Sequence, residues 1–337
     1  MKTLIHAILA AALIGGTVQA RFTEHKERHL GPTGMFGVTS PTEIKITKVA
    51  EGSPAAGKIK EGDVIVRAGG TAFKEETRKQ FAQAVDAAES KQGRGVLGLD
   101  LKDGRKVELQ LEVLGSYSPT APFDCEKTDA LITRTADAIV SKKKYGRGDM
   151  NIGLLGLLAT GEEKYVNHVR EVIHSAAWAK PDLKLTLDTY ARTAWSWGYL
   201  NLLLAEYYLL TGDEYVKPAL TAYSVAIAKG RDAAGLWGHG MATYDLNRGQ
   251  PNGRLPGYAV MNQSSLPSFL SMQMAKKAGI EHPEVLAGIE QTHGFYTDFI
   301  GRGTLPYGVH EPNSGSYNNN GMSGLVAVAF AQHDNQD

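Results

Sequence analysis

The chain has 337 residues, 42% of them hydrophobic and 21% charged, which excludes a chain disordered throughout and leaves room for two domains of roughly 100 to 200 residues each. Lysine plus arginine and aspartate plus glutamate both number 36. No basic excess remains to neutralise a phosphate backbone, so a nucleic-acid partner is not expected, and no acidic tail is present.

Residues 1–20 have the plan of a secretory signal. Lys2 supplies the positive start, the apolar run from Leu4 to Ile14 is too short to span a bilayer, and Val18-Gln19-Ala20 gives a small-residue ending. The mature chain is then expected to begin at Arg21, in the periplasm or outside the cell, with no membrane attachment after cleavage; an N-terminal anchor is the alternative. The most apolar later stretch, Trp195 to Leu210, carries Asn201 and Glu206 and falls short of the roughly 20 residues a span needs. Cys125 is the single cysteine, so no disulfide framework holds an exported fold, and a packed small side chain is a plainer reading of it than a nucleophile.

After a charged arm at 21–29, residues 30–114 read as a small β-rich domain. Ile44 and Ile46 alternate with charge, Val64-Ile65-Val66 follows a turn at Glu61-Gly62-Asp63, and Val107, Leu109, Leu111 and Val113 share one face of a last strand. Between Glu75 and Glu89, Phe81, Ala84, Val85 and Ala88 have the spacing of one amphipathic helix packed on the sheet. Gly69-Gly70 and Gly93 to Gly95 punctuate its flanks.

The blocks Gly34-Met35-Phe36-Gly37, Ile46-Thr47-Lys48-Val49-Ala50-Glu51-Gly52-Ser53-Pro54-Ala55-Ala56 and Ile59-Lys60-Glu61-Gly62-Asp63-Val64-Ile65, in this order, resemble a PDZ domain of the bacterial exported type. The resemblance implies a groove for a peptide or protein C-terminus between the strand after the loop and the 75–89 helix. Gly34, Met35, Phe36 and Gly37 would sit at the peptide's carboxylate, and Phe81 and Val85 would line the groove. Physically, a loop with two glycines turns N–H groups inward as an anion nest, and an open strand edge accepts an extended peptide. Pro32 and Pro41 flank the loop and strand and depart from the pattern. A fold of this kind used only for packing is the alternative.

Residues 115–124 form a linker by composition, Gly115-Ser116-Tyr117-Ser118-Pro119-Thr120-Ala121-Pro122 within it. From 125 to 337 the pattern is helical and repeats. Thr160-Gly161-Glu162-Glu163-Lys164-Tyr165-Val166 returns as Thr211-Gly212-Asp213-Glu214-Tyr215-Val216, each copy preceded by an apolar segment (Ile152 to Leu158, Trp195 to Leu210) and followed by an amphipathic one. Leu266 to Ala278, ending at Gly279, and Gly324 to Ala331 read as two further buried helices. Helical hairpins of one buried and one surface member close into an α/α toroid or stack into an open superhelix. The Trp, Tyr and Gly content of the inner segments favours an incomplete toroid. The expected class is therefore α+β multidomain, a PDZ-like β-rich domain followed by an all-α helical-hairpin repeat domain.

Leu30-Gly31-Pro32-Thr33-Gly34, Gly115-Ser116-Tyr117-Ser118, Pro122-Phe123-Asp124-Cys125, Gly257-Tyr258-Ala259-Val260-Met261-Asn262-Gln263, Pro306-Tyr307-Gly308 and Asn319-Asn320-Gly321 together carry a second resemblance. They are similar to an uncharacterised bacterial family, known by a domain of unknown function, in which an exported PDZ domain precedes a helical toroid. The family implies architecture and no activity.

If inner and outer helices alternate, the inner helices run the same way and their N-termini gather at one mouth. Trp195 and Trp197, Asn262 and Gln263, and Asn320 would then be neighbours, where helix dipoles favour an anionic or polyhydroxylated ligand such as a glycan; simple capping is the plainer use of such residues. Two long connections, Arg231 to Met261 and Gly301 to Tyr317, feed that end with His239, Tyr258, Tyr307 and His310. His239, Tyr258 and His310 are the candidate catalytic residues, since His, Tyr, Asn and Arg converging at a toroid mouth resemble the neutraliser, base and acid set of polysaccharide lyases. No phosphate loop or dinucleotide fingerprint occurs, and His25 and His29, four apart in the charged arm, lack the H-E-x-x-H order of zinc peptidases, so neither a cofactor nor a metal is expected. An exported peptide- or glycan-binding protein is the leading expectation, with a polysaccharide-degrading enzyme (lyase- or hydrolase-like) as the alternative.

Overall fold

The computed structural model describes residues 26–146, 150–185, 193–242, 260–300, 305 and 320–333. The chain divides into two units, residues 1–133 and 134–337, each with its own hydrophobic core. The first is an antiparallel sheet with a helix and the second is helical, so the class is α+β.

The sheet comprises β1 (Arg28–His29), β2 (Met35–Thr39), β3 (Ile44–Val49), β4 (Val64–Ala68), β5 (Thr71–Ala72), β6 (Val96–Leu101) and β7 (Lys106–Gln110). Its order is β1-β2-β3-β4-β6-β7, with β5 paired to β4 alone. Alternation puts Met35, Ile44, Ile46, Ile65, Leu97, Leu99 and Leu109 inside, where α1 (Thr77–Glu89) adds Phe81, Ala84, Val85 and Ala88 from one helical face. The last strand is shorter than its pattern predicts. Val113 is 46% exposed because the chain leaves the sheet after Gln110, and the Leu114 and Gly115 N–H groups both donate to the Glu89 carbonyl at the end of α1, at 3.0 Å.

The expected linker folds back as a turn. Ser118 Oγ and Thr120 Oγ1 both donate to the Phe123 carbonyl, and the buried Cys125 Sγ accepts the Ser118 N–H at 3.4 Å. Helix α2 (Glu126–Lys142) follows, and the division between the units falls inside it rather than in the linker. Its first turn belongs to the sheet unit through Lys127, which is 2% exposed and donates to Asp86 and to Glu89 Oε2, the latter at 2.8 Å.

The second unit continues with α3 (Ile152–Ala159), α4 (Glu163–Ser175), α5 (Thr193–Thr211), α6 (Lys217–Lys229), α7 (Asn262–Lys277), α8 (Pro283–Thr297) and α9 (Asn320–Ala331). The Thr-Gly repeat makes the same turn twice. Thr160 Oγ1 donates to the Leu157 carbonyl at 2.7 Å and accepts the Glu162 N–H at 3.2 Å; Thr211 Oγ1 donates to the Tyr207 carbonyl at 2.7 Å and accepts the Asp213 N–H at 3.3 Å. Gly161 and Gly212 both stand at φ 67°, the left-handed conformation that ends a helix at little cost only for glycine.

Helix α5 packs on α3 and α7, and α9 packs on α7, while α4, α6 and α8 pack beside α3, α5 and α7 respectively and α6 touches α8. At the α5–α7 seam a Cβ on Gly198 would come within 3.1 Å of the Ser268 amide, so a side chain there would need Ser268 to shift by a few tenths of an ångström. Asn201 bridges three helices there, donating to Ser271 Oγ at 3.1 Å and accepting from Ser224 Oγ at 3.0 Å. Around this polar bridge Leu200, Leu203 and Leu204 are buried, each contributing about 1.5–3 kcal/mol. Among the described residues no helix is long and apolar enough to cross a membrane.

Candidate functional site

Two places collect the predicted residues. In the first unit, a cavity of about 410 Å³ lies between α1 and the segment from Arg28 to Pro32. Its wall is apolar at Leu30, Ile44, Phe81, Ala82 and Val85, and it is charged at Arg28, Arg78, Asp86, Glu89 and Lys127. Phe81 and Val85 both line this cavity. Burial alone would lower the Lys127 ammonium pKa, but hydrogen bonds to Asp86 and Glu89 outweigh it and the net shift is upward. The ammonium also lies 4.7 Å above the Tyr117 ring.

The loop at Gly34 behaves differently from the expected anion nest. The Met35 N–H donates to Thr33 Oγ1 at 3.2 Å, that hydroxyl donates to the Leu30 carbonyl at 2.8 Å, and the Gly34 N–H turns back to Gly31 at 3.4 Å. Phe36 and Gly37 are paired on both sides, with Lys48 and Ile46 of β3 and with His29 and Arg28 of β1. The donors assigned to an incoming carboxylate are thus engaged within the chain. Thr33, part of the Leu30–Gly34 block, organises them, a role that depends on which backbone groups the folded loop brings to its hydroxyl.

In the second unit the segment from Leu236 to Ala242 connects the starts of two inner helices. The Met261 N–H before α7 donates to the Trp237 carbonyl at 2.9 Å, and Ser264 and Ser265 hydroxyls donate to the same oxygen at 3.2 and 3.0 Å. The Ala194 N–H at the start of α5 donates to the His239 carbonyl at 3.2 Å. Across this segment Leu236, Trp237, Gly238, Gly240, Met241 and Ala242 are buried and His239 is exposed. This one segment thus bonds to the starts of both α5 and α7, with the exposed His239 within it.

The neighbours differ in their availability. Trp195 is half-buried at the first turn of α5. Trp197, two residues on and so on another helical face, packs on the core with its ring edge-on to Tyr223 at 6.0 Å. Asn262 is fully buried and accepts the Tyr296 hydroxyl at 3.0 Å, which makes it a core residue and not a ligand contact; Gln263 beside it is half-buried. The segment leading to His239 is anchored by Asp232, whose carboxylate accepts the Ala234 and Leu236 N–H groups at 2.9 and 3.0 Å. Burial nevertheless leaves its pKa raised. Tyr258, Tyr307 and His310 lie outside the described residues, as does the side chain of Asn320, which opens α9. Among the described residues no three His, Cys, Asp or Glu side chains are grouped to hold a metal ion.

The fold and these two places define an α+β protein in which a grooved antiparallel sheet unit precedes an array of helical hairpins. Residues 128–337 match the family model of a domain of unknown function, DUF6288, and the chain belongs to that family. No curated protein and no solved structure matches the chain.

Proposed function

We propose that this is an exported binding protein. Its sheet unit is read as a PDZ-like module for peptide or protein C-termini, and its helical unit as an incomplete α/α toroid with a polar ligand site at the end where α5 and α7 begin. The observation that carries the reading is the cavity along α1, which combines the apolar wall of Phe81 and Val85 with charged groups at its rim. The Thr33 hydroxyl donates to the Leu30 carbonyl there, so it becomes a donor for a terminal carboxylate once that carbonyl moves away. Peptides with a free C-terminus should bind the mature protein at least several-fold better than their amidated twins in a fluorescence-anisotropy titration. Equal affinity would remove carboxylate capture from the reading.

One observation favours a second reading, a polysaccharide-degrading enzyme: His239 alone is exposed in an otherwise buried segment beside two helix starts. Incubation with acidic glycans, followed by ultraviolet absorbance of unsaturated products, tests it. An enzyme would lose turnover in His239→Gln with an unchanged melting temperature, whereas a binding protein would show no turnover in either form.

A further inference from the structure

The edge of β2 that faces α1 is already taken. Strand β1 pairs with it antiparallel, Arg28 opposite Gly37 and His29 opposite Phe36, on the side away from β3. We infer that Arg28–Leu30 is a built-in occupant of the groove, standing where an extended peptide ligand with an apolar last residue and a cationic residue two positions earlier would lie. The inference rests on the peptide-groove reading and adds to it both a ligand class and a mode of regulation.

Four features support the assignment. Leu30 is 7% exposed, belongs to the same buried cluster as Phe81 and Val85, and approaches Gly37 closely enough that a Cβ there would be 3.5 Å from Leu30 Cδ1. Its side chain therefore occupies the apolar place in the groove. The Leu30 carbonyl takes the Thr33 hydroxyl, the group best placed to receive a terminal carboxylate. Burial alternates as an added strand requires: Arg28 is half-buried, His29 is exposed and meets the Phe36 ring edge-on at 4.7 Å, and Leu30 is buried, with Arg28 and His29 both reaching the cavity that Asp86 and Glu89 line. Finally, β1 is only 2 residues long and lies beside 410 Å³ of open cavity, so its release breaks few backbone bonds and leaves the five longer strands paired.

Exchange is tested on the whole mature protein with a fluorescent peptide Lys-Glu-Arg-His-Leu, the sequence of residues 26–30. The Leu30 N–H bond to the Met35 carbonyl makes these two a bonded pair, so by antiparallel alternation Arg28 and Gly37 form the next one. Arg28→Pro removes its donor. The variant should bind the peptide about tenfold more tightly than the wild type, because the competing occupant is gone. Equal affinity in both proteins would overturn the built-in occupant and leave the peptide groove standing; no binding by either folded protein would overturn both. Should Arg28→Pro fail to fold, hydrogen exchange on the wild type decides. Saturating peptide should speed exchange of the amides at residues 28–30 and slow it at 35–37, whereas arm amides as protected as those of β3, with or without peptide, would overturn the exchange.

Discussion

At Gly34 the backbone stands at φ 73° and a Cβ would lie on the Ser53 side chain, so this position needs glycine twice over. Gly34→Val should cost about 3 kcal/mol, measured as a lower urea midpoint with an unchanged slope. Lys127 offers a second case. Removing its ammonium strands two carboxylates, and Lys127→Met should destabilise the sheet unit by about 2 kcal/mol, the exposure of Asp86 softening the loss. Adding Glu89→Gln should restore part of it. Cys125 joins two opposing properties: the Thr128 hydroxyl and then the Ser118 N–H pull its pKa down to about 7, yet the thiol is buried. Access limits its reaction more than ionisation does. Thiol-reactive dye should label the native protein far more slowly than the urea-unfolded chain, and comparable rates would show that the thiol is open.

Among the elements, the contact between α8 and α9 is the one that acidification should loosen. His293 of α8 stacks on His333 at 3.9 Å just beyond α9, and meets Phe330 of α9 at 4.7 Å. Glu290, also on α8, lies 3.2 Å from His333. Burial lowers the His293 pKa from 6.5 and the nearby His333 lowers it further, with Glu290 opposing. A histidine whose folded pKa is depressed binds more protons when unfolded, so stability rises with pH. Its contribution is complete above about 6.5 and is lost as pH falls through the lower folded value. The denaturation midpoint should drop between pH 7.5 and 5, and His293→Phe should flatten that slope. A wild-type midpoint independent of pH would refute the assignment.

For the whole molecule, two separate cores imply separable unfolding. Leu204 is fully buried in the helical core, and Leu204→Ala should cost about 2–5 kcal/mol. In calorimetry that loss should fall on one transition and leave the other, belonging to the sheet unit, in place. A single transition shifted as a unit would show that the two cores melt together.

Patterns with a local cause are legible in the amino-acid sequence by itself. The period of Phe81, Ala84, Val85 and Ala88 places α1, and the recurring Thr-Gly-acid block places two hairpin turns, since a threonine hydroxyl and a left-handed glycine act within a few residues of each other. The sequence also carries an alternation of buried and surface helices, which is the ground for expecting His239 near helix starts. What it does not contain is the fate of each polar group. Asn262 and Trp197 have the composition of ligand contacts, and only the packing of α8 and α6 against them buries Asn262 and sets the half-buried Trp197 against the core. The arm residues Arg28 and His29 read as a solvated charge run, and only a strand edge brought together by the tertiary fold gives their backbone a partner. Hydrogen-bond partners distant along the chain are set by which surfaces meet, and that information lies in the fold as a whole.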